Sequence, residues 1–525
     1  MTAIAIPQAP SADRYRFKYL IAITVSIASV LELLDTSIVN VAIPHMMGNL
    51  GATLDQIAWV STGYIVANVI ILPITGWLSA FFGRQRYFAG SIALFTVASF
   101  MCGNAGSLES LVVWRIIQGL GGGALLSTSQ AILYEEFPRE EYGTAMAIFG
   151  VGVMVGPTLG PTVGGWITDV YGWPWIFYIN IPFGMLALAL TLSFITDSEH
   201  QQRATKVDFI GLGLLAVGIG ALQTMLERGE RLDWFSSGQV RLLALASALS
   251  LIAFIWHELR TEHPVVDLRI LKSRQLAVGV VYGLVLGVCL YATVFVLPVY
   301  LQNVQNFTAN QTGLVILPGA LASAFTMALM GRLQGKVDGR LFIAAGVAIF
   351  ALSMWQHAHF TTESGMRDFF WPLIFRGIGL GLIFVPLTNL ALADLPLSKI
   401  PNGTGLFNLM RQLGGSVGIA LSATLLQRFT AIHRADLAAS VTPYAEATRE
   451  RIALITQALV ARGDVPAIAQ TKAIGFLNGI VTRQAMMLSF EQLFLLFGAA
   501  FVLSLPLLLL MHRNKGMSGG GAAAH

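Results

Sequence analysis

Long apolar runs separated by short polar punctuation fill almost the whole chain. A helix needs roughly 20 apolar residues to cross the hydrocarbon core of a bilayer, and about fourteen runs of that kind can be marked out. They begin near Lys18, Ile57, Tyr87, Leu108, Tyr142, Trp175, Phe209, Val240, Ala277, Gln311, Leu341, Phe369, Gly403 and Gln492. Nothing alternates polar and apolar residues as a membrane barrel would, and a backbone in lipid must satisfy its hydrogen bonds within the segment, so each run is predicted to be a helix. The pattern predicts an all-α polytopic membrane protein. One connection breaks the rhythm, residues 429–491, and within it "EATRERIALITQALVARG" sets Ile452, Ile455, Leu459 and Val460 at helical spacing with charges opposite. That stretch is predicted to be an amphipathic helix outside the membrane.

The runs also repeat. "WRIIQGLGGG", from Trp114, has a counterpart in "FRGIGLGLIFVP", from Phe375, each with an arginine shortly before a glycine-rich run. "GWLSAFFGRQR", from Gly76, has a weaker one in "GRLQGKVDGR", from Gly331. Two six-helix halves explain both pairs and leave two inserted helices between about Asp208 and His257. The predicted division is 1–195 for the first half, 196–270 for the inserted pair with its linkers, and 271–525 for the second half, including the extracytoplasmic loop 429–491.

Composition agrees with the pattern: 55% of residues are hydrophobic and 11% charged, against about 25% charged in a soluble domain. The distribution of charge adds orientation. With the N-terminus inside, the inner connections hold Arg14, Arg16, Lys18, Arg84, Arg86, Arg139, Arg203, Lys206, Arg260, Arg269, Lys272, Arg274, Arg332, Lys336, Arg340, Lys399, Arg513 and Lys515. The short outer ones hold only Arg228, Arg231, Arg241 and Arg367. Both termini are therefore predicted to be cytoplasmic. The net charge of +4 reflects this bias, and no basic patch interleaved with aromatics points to nucleic acid. The N-terminal stretch is too polar for a cleaved signal, and "GGGAAAH" is predicted to be disordered. Cys102 and Cys289 fall inside spans and read as small apolar residues.

Against this background two acids stand out in "LELLDTSIVNVAIP": Glu32 and Asp35, deep in the first run and three residues apart, on neighbouring positions of one face. Burial and a nearby like charge both favour the neutral form of a carboxyl group, which suits a group that loads and releases a proton. Asp35 is read as the principal proton-coupling acid. Glu32 is read as a second proton site or as an attractor of cationic substrates. The bland alternative makes Asp35 a fixed hydrogen-bond partner of Thr36, Asn40 or Arg115. Arg115, inside the fourth run with Gln118 one turn on, is a functional candidate because an intramembrane arginine must find a partner; snorkelling or a static ion pair is its alternative. Asn40, Gln118, Glu32 and Arg411 are candidate cavity residues. Arg411 would meet an anionic substrate group or a backbone carbonyl, and Arg376 is a weaker candidate. In the fifth run Gly152, Gly156, Gly160 and Gly164 recur every four residues as a smooth ridge beside Pro157, Pro161 and Gly165, allowing close helix approach and a bend. No H-E-x-x-H and no G-x-x-x-x-G-K-[ST] occurs, so neither metal-dependent hydrolysis nor an ATPase is expected.

The stretches "LDTSIVNVAIP", "GWLSAFFGRQR", "RIIQGLGGG", "GVMVGPTLGPTVGG", "WPWIFYINIPFG", "ERGERLDWFSS" and "RQLGGSVG", in this order and spacing, resemble the major facilitator superfamily. Within it they resemble the fourteen-helix drug:proton antiporters of the EmrB multidrug efflux type. The resemblance implies the major facilitator fold with 14 transmembrane helices in a bacterial inner membrane. It also implies alternating access driven by a proton gradient with no cofactor, export of hydrophobic compounds, and work with a periplasmic adaptor and an outer-membrane channel. It assigns Asp35 to the proton-coupling motif of the first helix and the glycine-proline ridge to sealing and rocking the two halves. The family's turn after the second helix carries an acid where this chain has Ala80; Gly76, Gly83, Arg84 and Arg86 remain as its gate residues. A facilitator or proton symporter of a small organic solute with the same fold is the rival reading.

Overall fold

The computed structural model describes residues 17–197, 207–333 and 336–512. Arg14, Arg16, Arg203, Lys206, Arg513, Lys515 and the terminal glycine-alanine run lie outside them. Among the described residues thirteen helices are long and apolar enough to cross a membrane, or fourteen with one bent helix counted as a span. In chain order they are α1 (Lys18–Leu50), α2 (Asp55–Phe82), α3 (Arg84–Gly103), α4 (Leu108–Glu136), α5 (Tyr142–Tyr171), α6 (Trp175–Phe194) and α7 (Phe209–Arg228). There follow α8 (Gly238–Arg260), α9 (Arg274–Asn303), α10 (Ala309–Leu333), α11 (Gly339–His357), α12 (Phe370–Leu392), α13 (Ile400–Ser440) and α14 (Pro466–Ser504). Every apolar run of the sequence has its helix. The protein is an all-α, multi-pass membrane protein.

Short polar residues start many of these helices. Ser107 Oγ accepts from Ser110 N at the head of α4, and Asp208 Oδ1 accepts from Gly211 N at the head of α7. Gly83, with φ of +89°, separates α2 from α3, and a side chain there would strain the backbone and press on the Asp197 carboxylate.

The long connection is more helical than the pattern suggested. α13 has 41 residues and α14 has 39, so each is about 60 Å long, roughly twice the hydrocarbon thickness. The boundaries 429 and 491 mark where apolar side chains thin out along these helices, because hydropathy reports the bilayer edge and not the helix end. Between them stands the expected amphipathic helix, Glu446–Ala461, packed on α14.

Glycines set the packing, and they do so twice. On α4, Cβ atoms at Gly119 and Gly123 would meet the Tyr64 and Asn68 carbonyls of α2 at 2.4 Å each. On α12, Cβ atoms at Gly377 and Gly381 would meet the Gly319 and Ser323 carbonyls of α10 at 2.0 and 3.0 Å. The repeated arginine-glycine runs are therefore the same close helix contact made once in each set of helices.

The α5 ridge lies on α1, with Gly152, Gly156, Gly160 and Gly164 facing Val30, Leu33, Ser37 and Ile38. The two arms of α5, Arg139–Pro157 and Leu159–Tyr171, are bent by 43°, the effect expected where prolines remove backbone donors. A different face of α5 meets α10, where Gly150 touches Met327 and Thr162 touches Gly313. A Cβ at Gly160 would lie 2.7 Å from Ser37 Cβ and 3.2 Å from the Ile38 backbone nitrogen, whereas one at Gly165 finds nothing nearer than Val41 at 3.8 Å. Gly160→Ala should destabilise the fold by about 1–3 kcal/mol through forced separation of α1 and α5, and Gly165→Ala should leave it nearly unchanged. Thermal unfolding of the two variants in detergent checks this; equal midpoints would mean that the contact is soft.

The inserted pair has its own position. α7 packs on both α2 and α13, and α8 packs chiefly on α7. Gln223 of α7 donates to Ser416 Oγ of α13 at 2.7 Å, and Trp234 Nε1, in the α7–α8 turn, donates to Thr424 Oγ1 at 2.9 Å. On the other side Arg228 bonds Asp55 and lies 4.9 Å from the Trp59 ring of α2. The pair therefore covers one of the two lines along which the first and last six spans meet. The other line is α5 against α10.

Candidate functional site

Asp35 sits midway along α1 with no exposed surface. Arg115 Nη1 of α4 donates to its Oδ2 at 2.5 Å, while Gln118 Nε2 and Asn180 Nδ2 donate to its Oδ1 at 2.9 and 3.0 Å. Arg115 and Gln118 share a face because they are three residues apart on a helix, and Arg115 Nη1 also donates to Gln118 Oε1 at 2.7 Å. Its Nε donates to the Val60 carbonyl at 3.1 Å, and its guanidinium stacks 4.1 Å from the Tyr64 ring. Ser99 Oγ closes the network by accepting from Gln118 at 2.7 Å and Asn180 at 3.3 Å. Five helices thus converge on one carboxylate. In so dry a site an ion pair is held by its hydrogen bonds, and removing either charge leaves the other buried and uncompensated.

Glu32 leaves the same helix in another direction. Asn68 Nδ2 of α2 donates to its Oε1 at 2.9 Å, and its Oε2 has no hydrogen-bond partner among the described residues. It is 5% exposed, and the charge of Arg411, from α13, acts on it. The two acids that the sequence groups together therefore serve different surroundings: Asp35 is locked among α1, α2, α3, α4 and α6, and Glu32 faces the second set of helices.

The remaining candidates divide. Thr36 donates to the Glu32 carbonyl, Asn40 donates to the Thr36 carbonyl, and neither touches Asp35. Asn40 is exposed and accepts from Ser61 Oγ at 3.1 Å. Gln118 is fully buried in the Asp35 network. Asn180, Ser99, Asn68 and Tyr64 were not singled out from the sequence. Asn180 carried the one available signal, since it stands in the quoted stretch "WPWIFYINIPFG" as a polar residue inside an apolar span.

The turn between α2 and α3 lies at the end of the bundle that carries most of the basic residues. There a Cβ on Gly76 would clash with Asn402 of α13 at 1.9 Å, so the two sets of helices touch at this glycine. Nearby, Asn408 Nδ2 donates to Gln130 Oε1 at 2.6 Å and Tyr134 donates to Asn389, closing this end. Arg84 donates to Glu135 at 2.5 Å, Glu136 at 2.9 Å and the Thr196 carbonyl at 2.7 Å. The carboxylates missing from the turn itself are thus supplied by the end of α4. Arg86 is exposed.

The sequence profile of the Major Facilitator Superfamily matches residues 25–419. The chain is 35% identical over 502 residues to the fatty acid resistance protein FarB of Neisseria gonorrhoeae, covering 95% of this chain and 97% of that protein. It is 33% identical over 509 residues to the multidrug export protein EmrB of Escherichia coli K12, covering 96% and 98%. Among solved structures it is similar to the human organic anion transporter MFSD10, with a TM-score of 0.60, 13% identity and coverage of 95% and 100%. The proton:xylose symporter XylE gives 0.58, 14%, 95% and 97%. At such identities the two structures speak for the fold alone.

Proposed function

The chain belongs to the Major Facilitator Superfamily and is a transporter, not an enzyme, and from that premise we propose that it is a proton-coupled antiporter exporting hydrophobic toxic compounds by alternating access. The observation that carries this reading is the buried Asp35–Arg115 pair with its full set of donors. A charge pair so enclosed is costly to maintain in lipid, and proton transfer is a use that repays such a group. FarB and EmrB are named for resistance to fatty acids and for multidrug export, and the direction and substrate class are carried over from them. The membrane is the inner membrane of a bacterium, with both termini cytoplasmic, so the basic end faces the cytoplasm.

The mechanism follows from a closed cytoplasmic end and two lines of contact between the halves. Rocking about these lines alternately exposes the side chains of Glu32, Asn68 and Arg411 to the two sides of the membrane. Protons from outside relax the charges of the first half, substrate leaves, and the halves reset. Proteoliposomes holding inside-out protein test this: an acidic lumen, with protons running outward, should drive uptake of a fluorescent lipophilic compound. Movement indifferent to the gradient would make the protein a facilitator.

The extensions of α13 and α14 and the helix Glu446–Ala461 form the docking site for a periplasmic adaptor that leads to an outer-membrane channel. They enclose a groove of about 770 Å³ lined by residues including Ile452, Thr456, Ile474 and Val481, and they expose Tyr444, Leu454, Ile468 and Phe476. Apolar side chains presented to water beyond the bilayer favour a protein partner. Replacing residues 446–461 by a short flexible linker should abolish co-purification of the adaptor while gradient-driven transport in proteoliposomes persists. Retained co-purification would move the docking site elsewhere.

A further inference from the structure

Arg411 is 1% exposed, and none of its three guanidinium nitrogens has a hydrogen-bond partner among the described residues. Among the buried arginines Arg376 also leaves its Nε without a partner among the described residues, but the contrast with Arg115 and Arg84 is chemical. Arg115 and Arg84 each donate to carboxylates and to a backbone carbonyl. Among the described residues Arg411 has the face of Phe384, 5.4 Å away.

Its position explains what it could meet. Three residues earlier on α13, Asn408 reaches across to Gln130 and Ser127 of α4, so this face of α13 looks toward the first half. Glu32 and Tyr291 both lie within reach of the Arg411 charge. Glu32 Oε2 is itself unpartnered among the described residues, so no hydrogen bond joins it to Arg411. Asn68 Oδ1, beside Glu32, is unpartnered as well. Close backbone packing holds Arg411 in place, since a Cβ at Gly287 of α9 would sit 2.0 Å from the Arg411 carbonyl oxygen.

A desolvated guanidinium is unfavourable unless an anion comes to it. Its planar fork matches a carboxylate, two donors to two oxygens. Phe384 and Tyr291 offer an apolar surface to whatever the carboxylate is attached to. We propose that Arg411 anchors the head group of an amphipathic organic carboxylate carried between the halves, a site that rests on the transporter reading above. A lipophilic cation would be repelled by Arg411.

The test is equilibrium binding of radiolabelled decanoate to the full-length chain in nanodiscs, by scintillation proximity, with decanol and decylamine as competitors and empty nanodiscs subtracted. Wild type should prefer decanoate over decanol by about tenfold or more, the difference that a hydrogen bond to a charged group makes. Arg411→Gln should reduce that preference to about one. Arg411→Lys, which keeps the charge and loses the fork, should fall between. Equal displacement by decanol and decanoate in the wild type overturns the proposal, as does an undiminished preference in Arg411→Gln. If that variant fails to fold, the wild-type competition and Arg411→Lys decide. Because no gradient is imposed, a facilitator would bind decanoate as an antiporter would. Loss of gradient dependence with the preference intact removes only the coupling, and loss of the preference with gradient dependence intact removes only the carboxylate site.

Discussion

Asp35→Asn should abolish the response of transport to a proton gradient while substrate counterflow without a gradient continues. A gradient of two pH units is worth about 2.7 kcal/mol per proton, enough to concentrate substrate about a hundredfold at one proton per substrate. Asparagine at this position cannot take up a proton, so the accumulation ratio should fall to about one. The substitution keeps the shape of the side chain, and its oxygen can still accept from Arg115. Its amide, however, turns two hydrogens toward Gln118 and Asn180, both of which donate there now. Both of those amides must flip; Asn180 can, but Gln118 cannot do so without losing its bond to Arg115. A stability loss of about 1–3 kcal/mol follows from that mismatch, and counterflow is the measurement that separates it from loss of coupling. If accumulation in the variant still follows the gradient, Asp35 is a structural residue and Glu32 becomes the coupling acid.

Removing the cation has the larger effect on folding. Arg115→Gln leaves the Asp35 carboxyl fully buried with two amides and no counter-charge, and breaking one side of a buried pair costs about 3–5 kcal/mol. The double variant Asp35→Asn/Arg115→Gln carries no buried charge at this place and should recover part of the loss. Thermal unfolding of the wild type, the two single variants and the double variant in one detergent gives the coupling energy directly. Strictly additive losses would mean that Asp35 and Arg115 are neighbours without being partners.

The span pattern could be read from the sequence because lipid leaves the backbone no choice but helix. Start residues such as Leu108, Trp175 and Phe209 coincide with the helix starts in the structure. The ends of α13 and α14 could not be read in the same way, since polar residues beyond the bilayer continue a helix as readily as they end it. At the candidate site, the residue types were legible and their partners were not. An acid in an apolar run announces itself by its cost, but Asn180 and Ser99 are cheap to bury and carry no such mark. The spacing of Glu32 and Asp35 suggested a pair, yet one helix face can look toward two neighbours at once. Arg84 shows the same limit: its carboxylates, Glu135 and Glu136, come from 51 and 52 residues away along the chain.

The α7–α8 hairpin leaves and re-enters the bundle on the same side. Two crossings are an even number, so the second half keeps the orientation that a direct connection from α6 to α9 would give it; a single added helix would have turned that half upside down. Since α8 leans almost entirely on α7, the hairpin is also a unit that can be gained or lost whole. Inserting the hairpin therefore leaves the parity of every other helix unchanged.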